Sequence, residues 1–318
     1  DGRKWLVNLV YDHRKDKKIF LSMVGSGNMR LFSIGINDKD LELKKLIYDK
    51  FHLAEMEEID IEEKKAGNLL FIQYIVKSSC KGERIAKIRD RMLKFISDTL
   101  SGIILKDVQC RIIQKIIQEE YFYFEKKEQE KILQDALAIM WGGKDPIIDA
   151  ETIRKTWREK IAIRIIEHLQ TNDDIIIEGF VRFRLKDFIR ELEDAVDRAV
   201  DDLLIEKEYN EFIKLLQYFV EIQEPKVDEV HVFQDEDKKY TLLDSSFRVI
   251  NNDILEELAK EISDSEISYD DLLISSLITI APSKITIHEC DKIKNTELLN
   301  TIKNVFNGKV VMSEDRIT

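Results

Sequence analysis

Residues 176–203 read IIEGFVRFRLKDFIRELEDAVDRAVDDL, and within them Val181, Leu185, Phe188, Leu192, Ala195, Ala199 and Leu203 recur every three or four positions. A helix turns once in about 3.6 residues, so this spacing lays the seven side chains along one side. A stripe of that length predicts a helix packed against other helices. The same period extends outward in both directions. Ile85, Ile88, Met92, Phe95, Ile96 and Leu100 repeat it, and helical patterns recur over 103–122, 128–141, 147–169 and 206–222.

The two ends of the chain follow another rhythm. Residues 4–11 (KWLVNLVY), 18–24 (KIFLSMV) and 29–36 read as strands, with Gly25-Ser26-Gly27-Asn28 as a turn before the third. Glycine and asparagine supply the positive φ such turns need. A helix is expected over 41–53, then a strand pair at 56–62 and 69–76 around Lys64–Asn68. Beyond Gln223-Glu224-Pro225, where proline disfavours helix at the residue before it, Val227–Phe233 alternates like a strand and 239–243 is its expected hairpin partner. Helices are expected at 252–262 and 269–280, the latter capped by Ser268 with Asp270 and Asp271 in its first turn. A strand at 285–288, a helix at 297–306 and a strand at 309–312 give a β-α-β order, which favours a parallel pair with a right-handed crossover.

The expected fold is therefore mixed α/β (α+β), helix-dominated in the middle, with small α/β regions at both ends. Three regions are expected: 1–80 α+β, 81–225 helical, and 226–318 α/β with a βαβ unit. Composition agrees. The 318 residues hold 11 Gly and 3 Pro, where average usage predicts about 22 and about 16, so tight turns are few and helices long. Charged residues make up 35 % of the chain, which implies long solvated helix faces.

Charge also narrows the function. Sixty-two acids against fifty Lys and Arg leave a net charge of −12. A general phosphate-backbone binder needs the opposite balance, so global nucleic-acid binding is not expected. Cys80, Cys110 and Cys290 are widely spaced and form no CxxC pair, consistent with reduced thiols in a cytoplasmic protein. No apolar run approaches the roughly 20 residues needed to span a bilayer; the best, Leu272–Pro282, is about half that. The opening Asp1-Gly2-Arg3-Lys4-Trp5 has no signal-peptide layout and no initiating Met, which leaves the true N-terminus open.

Several runs carry a resemblance: Ile177–Asp187 (IEGFVRFRLKD), Glu206–Phe212 (EKEYNEF), Ile222–Lys226 (IQEPK) followed by Val230-His231-Val232, and Tyr269–Pro282 (YDDLLISSLITIAP). Over residues 155–313 the chain resembles the YtxC-like family of sporulation proteins. That resemblance implies a cytoplasmic role in endospore formation. It carries over no catalytic residue, cofactor or substrate, so the name is a context and not a mechanism.

Read as chemistry, the strongest patch is basic. On one continuous helix Arg182, Lys186 and Arg190 share a side, Arg184 lies elsewhere on it, and Gly179 leaves room for a close approach. These five residues are the candidate anion-binding or interaction site, with Phe180 and Phe183 beside the arginines. The plainer reading is a solvated face paired with Glu178, Asp187, Glu193 and Asp194. Asp194, Asp197 and Asp201 on one side of the same segment have Arg190, Arg198 and Lys207 at hand, and without an ExxH pattern no metal is expected there. His231 and His288 fall on predicted strands and would converge if both strands joined one sheet. With no third ligand fixed by spacing, two unrelated hydrogen bonds are the plainer expectation.

Gly25–Asn28 lacks the GK[ST] ending of a phosphate loop and precedes a strand, so it is not a dinucleotide fingerprint either. The run Tyr121–Phe124, flanked by Glu119, Glu120 and Glu125, reads as core or interface rather than a base-stacking platform. No GxSxG or HExxH motif is present, and no cofactor is expected. The residues favour a non-catalytic factor that contacts a protein partner. Two alternatives stay open: a phosphate-ester or nucleotide-directed enzyme using Arg182, Lys186 and Arg190, and a nucleic-acid-binding module.

Overall fold

The computed structural model describes residues 29–51, 57–77, 79–80, 83–143, 149–235, 239–250, 268–291 and 293–313. The expected strands at 4–11 and 18–24, the turn at Gly25–Asn28 and the helix at 252–262 lie outside the described residues. The chain divides into two compact units, one ending at Leu203 and the other beginning at Leu204.

The first unit opens with β1 (Met29–Asn37), α1 (Leu41–Phe51), β2 (Ile59–Ala66) and β3 (Leu69–Val76). β2 and β3 form the expected hairpin, turning at Gly67 (φ 59°) and Asn68. β1 pairs antiparallel with β3, and β4 (Asp174–Ile176) adds to it in parallel, giving the order β2-β3-β1-β4. Gly35 sits where β1 is flanked on both sides. A Cβ there would lie 2.8 Å from the Phe71 ring and 3.0 Å from Ile176, so only glycine fits without displacement.

Helices cover this sheet. They are α2 (Glu83–Ile103), continued by a π-helical turn at Ile104–Val108, then α3 (Gln109–Glu120), α4 (Lys126–Met140) and α5 (Ala150–Thr171). α2 buries Ile88, Met92, Ile96 and Leu100, the stripe its spacing predicts. α4 starts with a capping box from Glu125 to Glu128 and ends at Trp141, with Gly142 and Gly143 at positive φ beyond it.

The segment 176–203 departs from the single expected helix. Ile175 and Ile176 belong to β4, paired to Ile34 and Gly35. A short helix α6 (Ile177–Arg184) follows, the chain breaks at Leu185 (φ −115°, ψ 42°), and α7 (Lys186–Ile222) begins. Leu185, Phe188, Leu192, Ala195, Ala199 and Leu203 are all buried, so the stripe itself is as predicted. Trp157 of α5 meets Phe188 edge-on, with ring centroids 5.3 Å apart. Buried side chains from Leu31 to Leu203 form one core.

The second unit begins inside α7 and contains β5 (Val227–Gln234), β6 (Tyr240–Asp244), α8 (Tyr269–Ile280), β7 (Pro282–Ile287), α9 (Thr296–Val305) and β8 (Val310–Met312). Its sheet has the order β6-β5-β7-β8; β6 is antiparallel to β5, and β5, β7 and β8 are mutually parallel. The β-α-β unit at the C-terminal end is thus present as read. Ser268 caps α8 reciprocally with Asp271, and Asn295 caps α9. Val230, Val232, Ile285 and Ile287 turn one sheet face into a core shared with Leu277, Ile302 and, from α7, Ile213 and Val220. The fold is helix-dominated mixed α/β.

Candidate functional site

The break at Leu185 decides where the predicted basic residues go. A helix that ends leaves carbonyls without partners. Arg164 of α5 supplies one: its Nη1 donates to the Arg184 carbonyl at 2.8 Å, and its Nη2 donates to Asp187 Oδ2 at 2.8 Å in a two-pronged pair. Burial opposes ionisation of Asp187, but the Arg164 guanidinium outweighs it and holds the carboxyl below its usual range. The break is therefore pinned from the neighbouring helix.

Consequently Arg182 lies on α6, whereas Lys186 and Arg190 lie on α7. The alignment expected of one unbroken helix does not arise. Arg182 is half-buried with its guanidinium 5.2 Å from the Phe183 ring centre; Arg184, Lys186 and Arg190 are exposed. A Cβ at Gly179 would meet nothing closer than 4.0 Å, at Ile176. Arg184 lines a cleft of about 230 Å³ with Arg164, Glu167, His168 and Thr171. The charge there is mixed, because Glu167 faces in and Arg164 is engaged by Asp187.

The acids of α7 are not gathered either. Asp197 accepts a hydrogen bond from the Tyr121 hydroxyl at 2.7 Å, while Asp194, Asp201 and Asp202 are exposed. Among the described residues no group of three or more His, Cys, Asp or Glu side chains is placed to hold a metal ion. Of the aromatic run, Phe124 is buried and Phe122 and Tyr123 are exposed.

The two strand histidines correct the plainer expectation. His231 of β5 and His288, just past β7, are buried and share one hydrogen bond, His231 Nδ1 to His288 Nε2 at 2.9 Å. Neutral imidazole carries one donor and one acceptor, so one ring gives and the other receives. Phe247 stacks on His231 at 4.5 Å and Phe233 on His288 at 4.4 Å, which makes a row of four rings on the sheet face opposite the core. On that face Lys284 (2.8 Å) and the Thr286 hydroxyl (2.7 Å) donate to Glu229 and hold its carboxyl below the usual range.

A second polar group ties the sheet to its helices. Gln234 Nε2 donates to the Tyr240 hydroxyl, which donates to Asp270, and Asn295 donates to the other Asp270 oxygen, all at 2.7–2.8 Å. Burial, then Asp270, raise the Tyr240 hydroxyl pKa above its ordinary value. Asp270 reads in the sequence merely as a first-turn acid, yet it joins α8, α9 and the β5–β6 hairpin.

The feature left unexplained by folding is on α7 beyond Leu203. There Ile213 and Val220 are buried against the sheet core, Tyr209 shares a 2.8 Å hydrogen bond with Thr301, and Gln217 donates to the Asn304 carbonyl. These contacts fix which way the helix faces. The flank that starts about 100° around the helix, one residue-step from Ile213 and Val220, carries Ile205 (65 % exposed), Phe212 (55 %), Leu215 (51 %), Phe219 (42 %) and Ile222 (58 %). Their spacing is 7, 3, 4 and 3, a heptad seam on a helix surface. Single exposed apolar side chains are ordinary, but a contiguous row marks a contact surface. Sequence reading missed it, although apolar residues on every side of 203–222 were a signal that one packed face could not absorb them all.

The family model of the YtxC-like family matches residues 94–311. The chain belongs to the YtxC-like family. A YtxC-like relative from Bacillus subtilis (strain 168), named Uncharacterized protein YtxC, is 26 % identical over 224 residues, covering 69 % of this chain and 76 % of the relative. No solved structure matches the chain. The YtxC-like match takes in the whole of α7, including the seam. Among the described residues no helix is long and apolar enough to cross a membrane.

Proposed function

We propose that this YtxC-like chain is a non-catalytic factor of the sporulation programme, working in the cytoplasm by docking a protein on the exposed apolar face of α7. The observation that carries this reading is the row Ile205, Phe212, Leu215, Phe219 and Ile222, left exposed while the adjacent Ile213 and Val220 pack into the sheet core. Leaving such side chains in water costs about 25 cal/mol for each Å² of apolar surface, a cost that a docked partner removes. The enzymatic alternative needs Arg182, Lys186 and Arg190 around one cavity; of the basic residues read as a site, the cleft beside α6 takes in Arg184.

The test replaces the native gene with Phe212→Asp/Phe219→Asp in the spore-forming host. Both residues are exposed, so the protein is expected to stay folded and at normal abundance. Spore yield should fall to that of a deletion strain. Normal yield from a folded, abundant variant refutes the docking reading.

A further inference from the structure

We propose that the occupant of this face is a second copy of the chain, bound as an antiparallel helix pair; this rests on the docking reading above. The seam is close to symmetric. It runs Ile205, Glu208, Phe212, Leu215, Phe219, Ile222; its spacing of 3, 4, 3, 4 and 3 is the same in both directions, and its apolar pattern is broken under reversal only where Glu208 and Phe219 exchange. A two-fold axis makes a surface its own partner, so a near-palindromic seam is what a two-fold pair requires. Centred between Phe212 and Leu215, the pair sets Ile205 against Ile222 and Phe212 against Leu215, each large ring opposite a smaller side chain.

The exposed area also suits a pair. The five seam residues and the flanking Leu204 and Tyr218 are each two-fifths to two-thirds exposed. With about 200 Å² for a fully exposed large apolar side chain, the patch offers on the order of 800 Å² per copy, each partner's share of a standard specific interface.

Charge sets the direction. A parallel pair would place Glu208 against Glu208 and, one heptad earlier, Asp201 against Asp201. Antiparallel, the two Glu208 carboxylates stand about 16 Å apart along the axis, roughly twice the screening length at physiological salt. Glu208 then lies over the rim of the partner's Phe219 with its carboxylate in water.

Sedimentation velocity of the purified full-length chain tests this. The mass should rise to that of two chains by about 100 µM, and Phe212→Asp, which counts twice in a symmetric pair, should weaken association roughly a thousandfold with an unchanged circular dichroism spectrum. Glu208→Leu should tighten association roughly tenfold, a gain that misfolding does not mimic. Under oxidation, Ile205→Cys mixed with Ile222→Cys should give a crosslinked pair that neither variant gives alone. A chain monomeric throughout, a dimer indifferent to Phe212→Asp, or crosslinks from each single variant alone would overturn the proposal. A monomer whose Phe212→Asp/Phe219→Asp form still fails in spore formation removes the second copy but leaves the docking reading standing.

Discussion

Replacing His231 by Leu removes the 2.9 Å bond to His288 and the stack on Phe247, in a site where both histidines are more than nine-tenths buried. Depriving a buried polar atom of its partner costs about 1–3 kcal/mol, and a lost ring contact adds about 0.5–1.5 kcal/mol, so the single variant should lose about 2–4 kcal/mol. His288→Leu loses a similar amount, with Phe233 in place of Phe247. In the double variant neither ring waits for the other. A double-mutant cycle should therefore show the pair destabilised by at least about 2 kcal/mol less than the sum of the singles. Hydrogen exchange of the β5 and β7 amides, at about pH 8 where an unfolded histidine is neutral, reads the effect in the second unit. Trp5, Trp141 and Trp157 all precede Leu204, so tryptophan fluorescence reports the first unit and should not change. Strictly additive losses would refute the shared bond as a source of stability.

Three further outcomes follow from named contacts. Gly35→Ala forces a methyl to within 2.8 Å of Phe71 and should destabilise the first unit by about 1–3 kcal/mol in urea unfolding followed by tryptophan fluorescence; an unchanged midpoint contradicts the close approach. Glu229 is held below its unfolded value by Lys284, so its contribution is full above about pH 4.3 and is lost as pH falls through the lowered value. Glu229→Gln should flatten that acid limb of the second unit's stability, and an identical limb excludes the ion pair as its source. Tyr240, raised by burial and by Asp270, should ionise nearer the ordinary tyrosine range in Asp270→Asn; ultraviolet absorbance titration shows the shift, and no change rules out the Asp270 contribution.

Much of the fold was legible because local signals agreed with tertiary packing. The β2–β3 hairpin was legible around Lys64–Asn68, although β2 runs on to Ala66; the α8 start was legible through Ser268 and Asp271, and the parallel β7–β8 pair through its intervening helix. The break at Leu185 was not legible, because Leu185 continues the apolar stripe. Its causes are distant: β1 recruits Ile175 and Ile176 into a strand, and Arg164, twenty residues before Arg184, takes up the freed carbonyl. That break takes Arg182 off the helix that bears Lys186 and Arg190, so the i, i+4, i+8 geometry read from spacing does not exist. Alternation placed His231 on a strand. It could not show that β5 and β7 are neighbours in a register where His231 opposes Thr286 and His288 reaches it diagonally. For α7, the pattern marks apolar residues but not which half the sheet covers.

The central claim is that the α7 face is occupied in the living cell. A photo-crosslinking phenylalanine analogue placed at Phe212 during spore formation tests it most directly, with the same analogue at the exposed Lys155 of α5 as control. The account predicts an adduct from position 212 and none from 155, with the mass of two chains if the partner is a second copy. A folded protein that gives no adduct from position 212 contradicts it.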